Sequence, residues 1–62
     1  PDVAMTLYNL GTVLSDLGRR DEALAAYEEA LEIYGEFAQR WPQAFEPYLQ
    51  MVRRNLKRLG EE

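Results

Sequence analysis

Apolar residues recur at helical spacing in three segments of the chain. In the first segment they are separated by 4, 3, 4 and 3 positions: Val3, Leu7, Leu10, Leu14 and Leu17. This spacing places side chains on one side of an α-helix, whereas a strand would alternate every second residue. Pro1 and Asp2 suit a helix start, and Gly18 suits a left-handed cap after the last turn. The pattern predicts a first helix over residues 2–17.

A second apolar stripe follows the short linker Gly18-Arg19-Arg20. Asp21 is a favoured N-cap residue type, so the helix is predicted to begin there. The apolar positions, separated by 4, 3, 4, 3 and 4 positions, are Ala23, Tyr27, Ala30, Tyr34, Phe37 and Trp41. The other side carries Glu28, Glu29, Glu32 and Glu36. Because the residue before a proline is pushed out of helical geometry, Pro42 ends a helix over residues 21–40.

Pro47 decides where the third helix is predicted to begin. One unbroken helix from Pro42 to Leu59 would place Pro47 in its interior, at a cost of about 3 kcal/mol. We therefore predict a turn over residues 42–46 and a helix over residues 47–59. Its apolar side carries Leu49, Val52, Leu56 and Leu59. Four basic residues fall nearly opposite: Arg53, Arg54, Lys57 and Arg58.

The first and third segments resemble each other. A shift of 42 residues superposes their apolar positions, including Leu7 on Leu49. A shift of 46 residues matches Asn9 with Asn55 but puts Arg53 where Leu7 lies. We prefer 42, because it keeps every apolar position on the predicted buried side. The chain then contains one helix pair and the first helix of a second pair, which indicates a helical solenoid.

The first two segments carry the motif of a known repeat family. The motif reads Leu7-x2-Leu10-Gly11-x2-Leu14, then Ala23-x3-Tyr27-x2-Ala30. It resembles the tetratricopeptide repeat over residues 1–34, with the remainder as a partial repeat. Small residues occupy the positions where the two helices must approach closely, namely Gly11, Ala23 and Ala30. Leu7, Leu14 and Tyr27 fill the space between them.

The chain departs from the family at two positions. Leu7 stands where the family often has tryptophan, and Gly35 replaces the usual proline after the second helix, so that helix is lengthened. The longer repeat, of about 42 residues, is similar to the kinesin light chain type and to bacterial long-repeat arrays. The resemblance implies an all-α fold, a helical hairpin plus a third helix. Residues 1–62 would form a single module, one and a half repeats of a right-handed solenoid.

The resemblance also implies a function. In the family, the first helices of successive pairs line a concave groove that holds a peptide or a partner helix. The groove positions of this sequence would be Met5, Tyr8, Asn9, Thr12 and Asp16. Asn9 is the sharpest candidate, because a carboxamide donates and accepts hydrogen bonds and can hold an extended peptide backbone. The alternative for Asn9 is an exposed helix residue or a cap to a neighbouring repeat.

The expected function is therefore that of a protein–protein interaction scaffold. Because the chain begins with Pro1 rather than methionine, we expect a piece excised from a longer array. The alternative function is a structural element that forms homo-oligomers by stacking or helix exchange, since a short solenoid leaves apolar repeat ends uncovered.

The composition argues against catalysis. The 62 residues include no histidine and no cysteine, so the commonest general base, the commonest metal ligand and any disulfide are missing. Thr6, Thr12 and Ser15 have no neighbouring base, and no glycine-rich phosphate loop is present. The glutamates of the second helix lack loop ligands for calcium. We expect no enzyme, no cofactor and no metal, and the aromatic residues of the second helix are assigned to packing.

The net charge and the hydropathy of the chain limit the classes of partner that it is expected to bind. The net charge of −4 argues against nucleic-acid binding. The basic side of the third helix has no interleaved aromatic residues, so we expect a solvated outer face on a terminal helix. No apolar run approaches membrane-spanning length and nothing resembles a signal peptide. The expected protein is cytoplasmic, with a protein or peptide partner and no membrane partner.

Overall fold

The computed structural model describes residues 2–61, which form three α-helices. Helix α1 spans Asp2–Asp16, α2 spans Arg20–Arg40 and α3 spans Pro42–Glu61. Helix α2 packs against both of the others. This is the predicted all-α hairpin with a third helix. The predicted roles of Pro1 and of the Asp2 side chain lie outside the described part of the chain.

The connection from α1 to α2 is a Schellman motif. The Arg19 amide donates to the Leu14 carbonyl at 2.9 Å, and the Gly18 amide donates to the Ser15 carbonyl at 3.0 Å. Gly18 has a φ of 78°, a left-handed conformation that glycine adopts without the cost a β-carbon imposes. The predicted cap at Gly18 is confirmed.

Arg19 is also the N-cap of α2, so the predicted N-cap at Asp21 is wrong. The Arg19 carbonyl accepts the amide of Ala23 at 3.0 Å and starts the helical ladder. Its side chain caps no amide; its Nε instead binds Glu22 Oε1 at 2.7 Å. Because the Schellman motif already turns the chain by Arg19, the helix begins at Arg20 and Asp21 falls in its first turn.

Trp41 alone connects α2 to α3. Its amide donates to the Phe37 carbonyl at 2.8 Å, and its carbonyl accepts the amides of Ala44 and Phe45, both at 3.1 Å. Its backbone is non-helical, with φ −134° and ψ 70°. Pro42 ends α2 as predicted, but it also occupies the first position of α3, where a proline loses no helical hydrogen bond.

The predicted turn over residues 42–46 and the predicted helix start at Pro47 are therefore wrong. Helix α3 begins at Pro42 and continues through Pro47. Pro47 lies in the second turn, where its missing amide deprives the Gln43 carbonyl of a helical donor. Both residues are exposed, so water can bind that carbonyl.

Aromatic stacking holds the first turns of α3 against α2. Phe45 stacks on Phe37 with ring centroids 5.0 Å apart, and Tyr48 stacks on Tyr34 at 5.4 Å. Each such pair contributes about 0.5–1.5 kcal/mol beyond its buried area. Together they offset much of the cost of Pro47, about 3 kcal/mol. The helix therefore persists because its aromatic residues meet partners on another helix.

The core is one cluster centred on α2. Its buried side chains are Ala4, Leu14, Ala23, Ala26, Tyr27, Ala30, Tyr34, Ala38, Leu49, Val52 and Leu59. The predicted apolar side of α3 is confirmed, with Leu56 half-buried. The predicted apolar side of α2 is confirmed as far as Phe37, but Trp41 is 50% exposed.

The predicted buried side of α1 is partly wrong. Leu14 is buried and Leu7 is half-buried, whereas Val3, Leu10 and Leu17 are exposed. Helix α1 meets the core through a different set, which consists of Ala4, Leu7, Tyr8, Gly11 and Leu14. The side of α1 that faces α2 is therefore different from the side that carries most of its large apolar residues.

Helices α1 and α2 make a close contact between Gly11 and Tyr27. A Cβ on residue 11 would lie 2.7 Å from Tyr27 Cδ1, well inside van der Waals contact. Tyr27 is 2% exposed, and its hydroxyl lies 2.9 Å from Thr12 Oγ1. Ala23 and Ala30 are fully buried. The prediction of small residues at the helix contact is confirmed.

Gly11→Ala is expected to lower the free energy of unfolding by about 1 kcal/mol. Overpacking against Tyr27 costs about 1–3 kcal/mol, which exceeds the gain in helix propensity of about 1 kcal/mol. Gly35→Ala is the matched control, because a Cβ there meets nothing within 4 Å. The free energy of unfolding of that variant should rise by about 0.5–1 kcal/mol. Thermal unfolding followed by circular dichroism compares them, and equal stability of the two variants would contradict the packing argument.

Pro47→Ala is expected to raise the free energy of unfolding by about 1–3 kcal/mol, because it restores a donor to the Gln43 carbonyl. Pro42→Ala is the control. Its amide would have no helical partner, so the change should be neutral or destabilising by less than about 1 kcal/mol. Urea unfolding followed by Trp41 fluorescence measures both. A neutral or destabilising effect of Pro47→Ala would show that Pro47 does not weaken α3.

Candidate functional site

The predicted groove residues lie along one side of α1, because they are spaced by about one helical turn. They are Met5, Tyr8, Asn9, Thr12 and Asp16. Asn9 and Asp16 are exposed, and the other three are half-buried. The exposed members are accessible to a partner, while the half-buried members also contact the rest of the fold.

Tyr8 touches all three helices. Its ring on α1 lies 5.7 Å from the Tyr27 ring of α2, with the two planes inclined at 41°. Its hydroxyl accepts a hydrogen bond from Asn55 Nδ2 of α3 at 3.2 Å. Since this side chain contacts both other helices, α1 and α3 are neighbours at this point.

Thr12 is used mainly inside the fold. Its Oγ1 donates to the Tyr8 carbonyl at 3.2 Å, so the Tyr27 hydroxyl, 2.9 Å away, is the donor in the second hydrogen bond. A threonine hydroxyl has one proton, and here the backbone takes it. Thr12 therefore orients Tyr27 and has no proton left to donate to a ligand.

Asn55 of α3 lies beside the predicted groove residue Tyr8, and the sequence interpretation did not single it out. Asn55 Nδ2 also donates to the Met51 carbonyl at 2.9 Å, and Asn55 Oδ1 accepts from Arg58 Nη2 at 3.0 Å. The alternative shift of 46 residues matches Asn9 with Asn55 and so carries a signal for this residue, although it also aligns Leu7 with Arg53.

The basic residues of α3 are all exposed, as expected for a solvated face. Arg58, at one edge of this side, binds Asn55, which contacts α1. Arg53, at the other edge, lines a groove between α3 and α2, together with Leu31 and Gly35. The Arg58 charge adjoins the candidate surface and the Arg53 charge does not.

An aromatic cluster marks the junction of α2 and α3. Burial raises the pKa of the Tyr34 phenol above its ordinary value of 10.0, and the neighbouring Tyr48 raises it further. Trp41 is half-exposed, with the Arg40 guanidinium carbon 5.7 Å from its ring centroid. The predicted packing role fits Tyr27, Tyr34 and Phe37, whereas much of Trp41 remains accessible.

The sequence matches the family model described as tetratricopeptide repeat over residues 3–36. The match spans more than half of the chain and covers most of α1 and α2, so the chain belongs to the tetratricopeptide repeat family. No match to a curated protein or to a solved structure was found. Tetratricopeptide repeats are protein–protein interaction scaffolds rather than enzymes, and they bind proteins or peptides.

Two further findings concern the described residues alone. Within residues 2–61, no helix has the length and apolar character needed to cross a membrane. The same part of the chain holds no group of three acidic, histidine or cysteine residues placed to bind a metal ion. The glutamates of α2 are exposed to solvent: Glu28, Glu29, Glu32 and Glu36.

Stability is expected to fall in alkaline solution because of Tyr34. A raised pKa in the folded state favours the protonated phenol. The contribution of Tyr34 to the free energy of unfolding is therefore complete below the pKa that the residue has in the unfolded chain, about 10. That contribution is lost as the pH rises through the higher pKa of the folded state. Urea unfolding at about pH 8 and about pH 11 tests this, and Tyr34→Phe should lose less stability between the two. An equal loss in both proteins would contradict the assignment.

Proposed function

We propose that the chain binds a peptide or a partner helix along the concave side formed by α1 and α3. The hydrogen bond between Tyr8 and Asn55 carries the proposal, because it joins the groove side of α1 to α3. The proposed contact residues are those predicted from the sequence: Met5, Tyr8, Asn9, Thr12 and Asp16. We place this binding module in the cytoplasm, as the sequence predicts.

Asn9 is the proposed polar anchor. It is exposed, and within the described part of the chain its side-chain amide has no hydrogen-bond partner. A carboxamide whose NH₂ donor and carbonyl acceptor are both free can pair with the C=O and N–H of a peptide backbone. Thr12 cannot donate in this way, since its proton is held by the Tyr8 carbonyl.

Apolar and charged groups would add selectivity. Met5 on α1 and Met51 on α3 are half-buried, and methionine adapts to partners of different shape. Asp16 and Arg58 carry opposite charges near the same ends of α1 and α3. A peptide crossing the groove would therefore place a basic group toward α1 and an acidic group toward α3.

The test is a titration of a peptide selected from a random library. Amide resonances of Met5, Tyr8 and Asn9 should shift on binding, while those of Glu28 and Glu32 on the outer side of α2 should not. Asn9→Ala should weaken binding by up to about tenfold, the equivalent of one net hydrogen bond of about 0.5–1.5 kcal/mol. Glu29→Ala, an exposed change on α2, is the matched control.

The proposal fails if selected peptides shift resonances of the acidic side of α2 instead of α1. It also fails if Asn9→Ala binds as tightly as the unchanged protein. Circular dichroism of the variant separates a loss of binding from a loss of helix, because Asn9 is exposed and contributes little to the core.

A second candidate function is self-assembly into homo-oligomers, by stacking or helix exchange. One observation favours it: α1 exposes several large apolar side chains that the rest of the described chain leaves uncovered. Apolar patches on monomers often mark interaction sites. Sedimentation at increasing concentration tests this function, and a monomer throughout would remove it.

A further inference from the structure

The exposed apolar residues of α1 form a continuous stripe. They are Val3, Leu10, Val13 and Leu17, with exposures of 64%, 47%, 54% and 65%. With Thr6 included, successive positions are separated by 3, 4, 3 and 4 residues. This is the spacing of the seam along which two helices pack in a coiled coil. We name these four apolar residues the α1 stripe.

Most of the corresponding side of α3 is covered by α2. The shift of 42 residues takes Val3, Leu10 and Leu17 to Phe45, Val52 and Leu59, and it takes Val13 to Asn55. Val52 is 0% exposed and Leu59 is 3% exposed, while Phe45 stacks on Phe37 of α2 and Asn55 binds Tyr8 of α1. Three of the four stripe positions therefore pack against a helix in α3 and are open in α1, which indicates that the α1 stripe fits a helix.

A second copy of the chain offers few surfaces to cover the stripe. The outer side of α2 carries four exposed glutamates. The groove between α2 and α3 is lined by Glu46 and Arg53. Either surface would bring charged groups against apolar side chains and remove their hydration. The other exposed large apolar side chains of the described residues, Trp41 and Tyr48, lie at the junction of α2 and α3, where the Arg40 guanidinium carbon is 5.7 Å from the Trp41 ring centroid. The α1 stripe has no charged member, so it complements a second α1 stripe better than it complements these surfaces.

We propose that two copies of the chain pair through their α1 stripes about a two-fold axis close to Leu10. This inference rests on the second candidate function, self-assembly, and identifies the surface through which the copies would associate. A two-fold interface uses the same patch from both copies. Leu10 is central, seven residues from Val3 and seven from Leu17, so antiparallel helices bring the two Leu10 side chains together.

The antiparallel arrangement follows from the helix dipoles. Parallel helices would place like ends of the two dipoles side by side, whereas antiparallel helices oppose the dipoles. In this arrangement Val3 of one copy lies near Leu17 of the other.

The proposed pairing leaves the candidate groove open. Successive residues of an α-helix point about 100° apart, so Asn9 faces a different side from Leu10. Met5 and Asp16 share the side of Asn9. A pair of chains would then carry two grooves, one on each copy.

Cysteine cross-linking tests the pairing directly, because the chain contains no cysteine and an introduced thiol is unique. Leu10→Cys should form a disulfide-linked dimer on mild oxidation, whereas Glu29→Cys on α2 should remain monomeric. In a mixture, Val3→Cys should join Leu17→Cys in preference to itself, as resolved by mass spectrometry. Preferential Val3–Val3 linkage would overturn the antiparallel arrangement.

Sedimentation equilibrium distinguishes this proposal from self-assembly in general. The unchanged chain should dimerise, and Leu10→Asp should raise the dissociation constant at least about 100-fold. Glu29→Ala should leave it unchanged, and circular dichroism checks that each variant stays helical. If the chain dimerises and Leu10→Asp has no effect, self-assembly stands and the α1 pairing is wrong. If the unchanged chain is monomeric at every concentration, both are wrong.

Discussion

The fold depends on the packing of the Tyr27 ring against Gly11. The ring occupies the space that a β-carbon on residue 11 would need. The same tyrosine is hydrogen-bonded to Thr12 and lies beside Tyr8, so the contact that joins α1 to α2 also orients the candidate groove. Because Tyr8 binds Asn55, the position of α3 is linked to this contact as well. Stability and the shape of the proposed binding surface therefore have one origin.

Helix α1 has three sides with different chemistry. Small and apolar residues face α2, where close approach excludes large side chains at Gly11. A second side, which includes Asn9 and Asp16, is polar and adjoins α3. The third side is the α1 stripe, whose counterparts on α3 include the buried Val52 and Leu59. Since the groove residues and the α1 stripe share no member, binding of a peptide and pairing of two copies are compatible uses of one helix.

Local patterns were sufficient for much of the helical layout. The left-handed cap at Gly18 and the end of α2 before Pro42 depend on backbone preferences of one or two residues. Patterns were insufficient where the deciding contact is distant in sequence. The continuation of α3 through Pro47 depends on Phe45 and Tyr48 stacking on α2, and nothing near Pro47 in the sequence shows this.

The sequence by itself determined the helical class, the two-helix repeat and the residue types of the predicted groove, because periodicity and steric size act locally. Only the tertiary structure decided which side of α1 is buried. Several sides of that helix are apolar, and the choice depends on where Tyr27 and α2 lie. It also joined Asn55 to Tyr8, a pair 47 residues apart, since side chains on separate helices meet only after packing sets their distance.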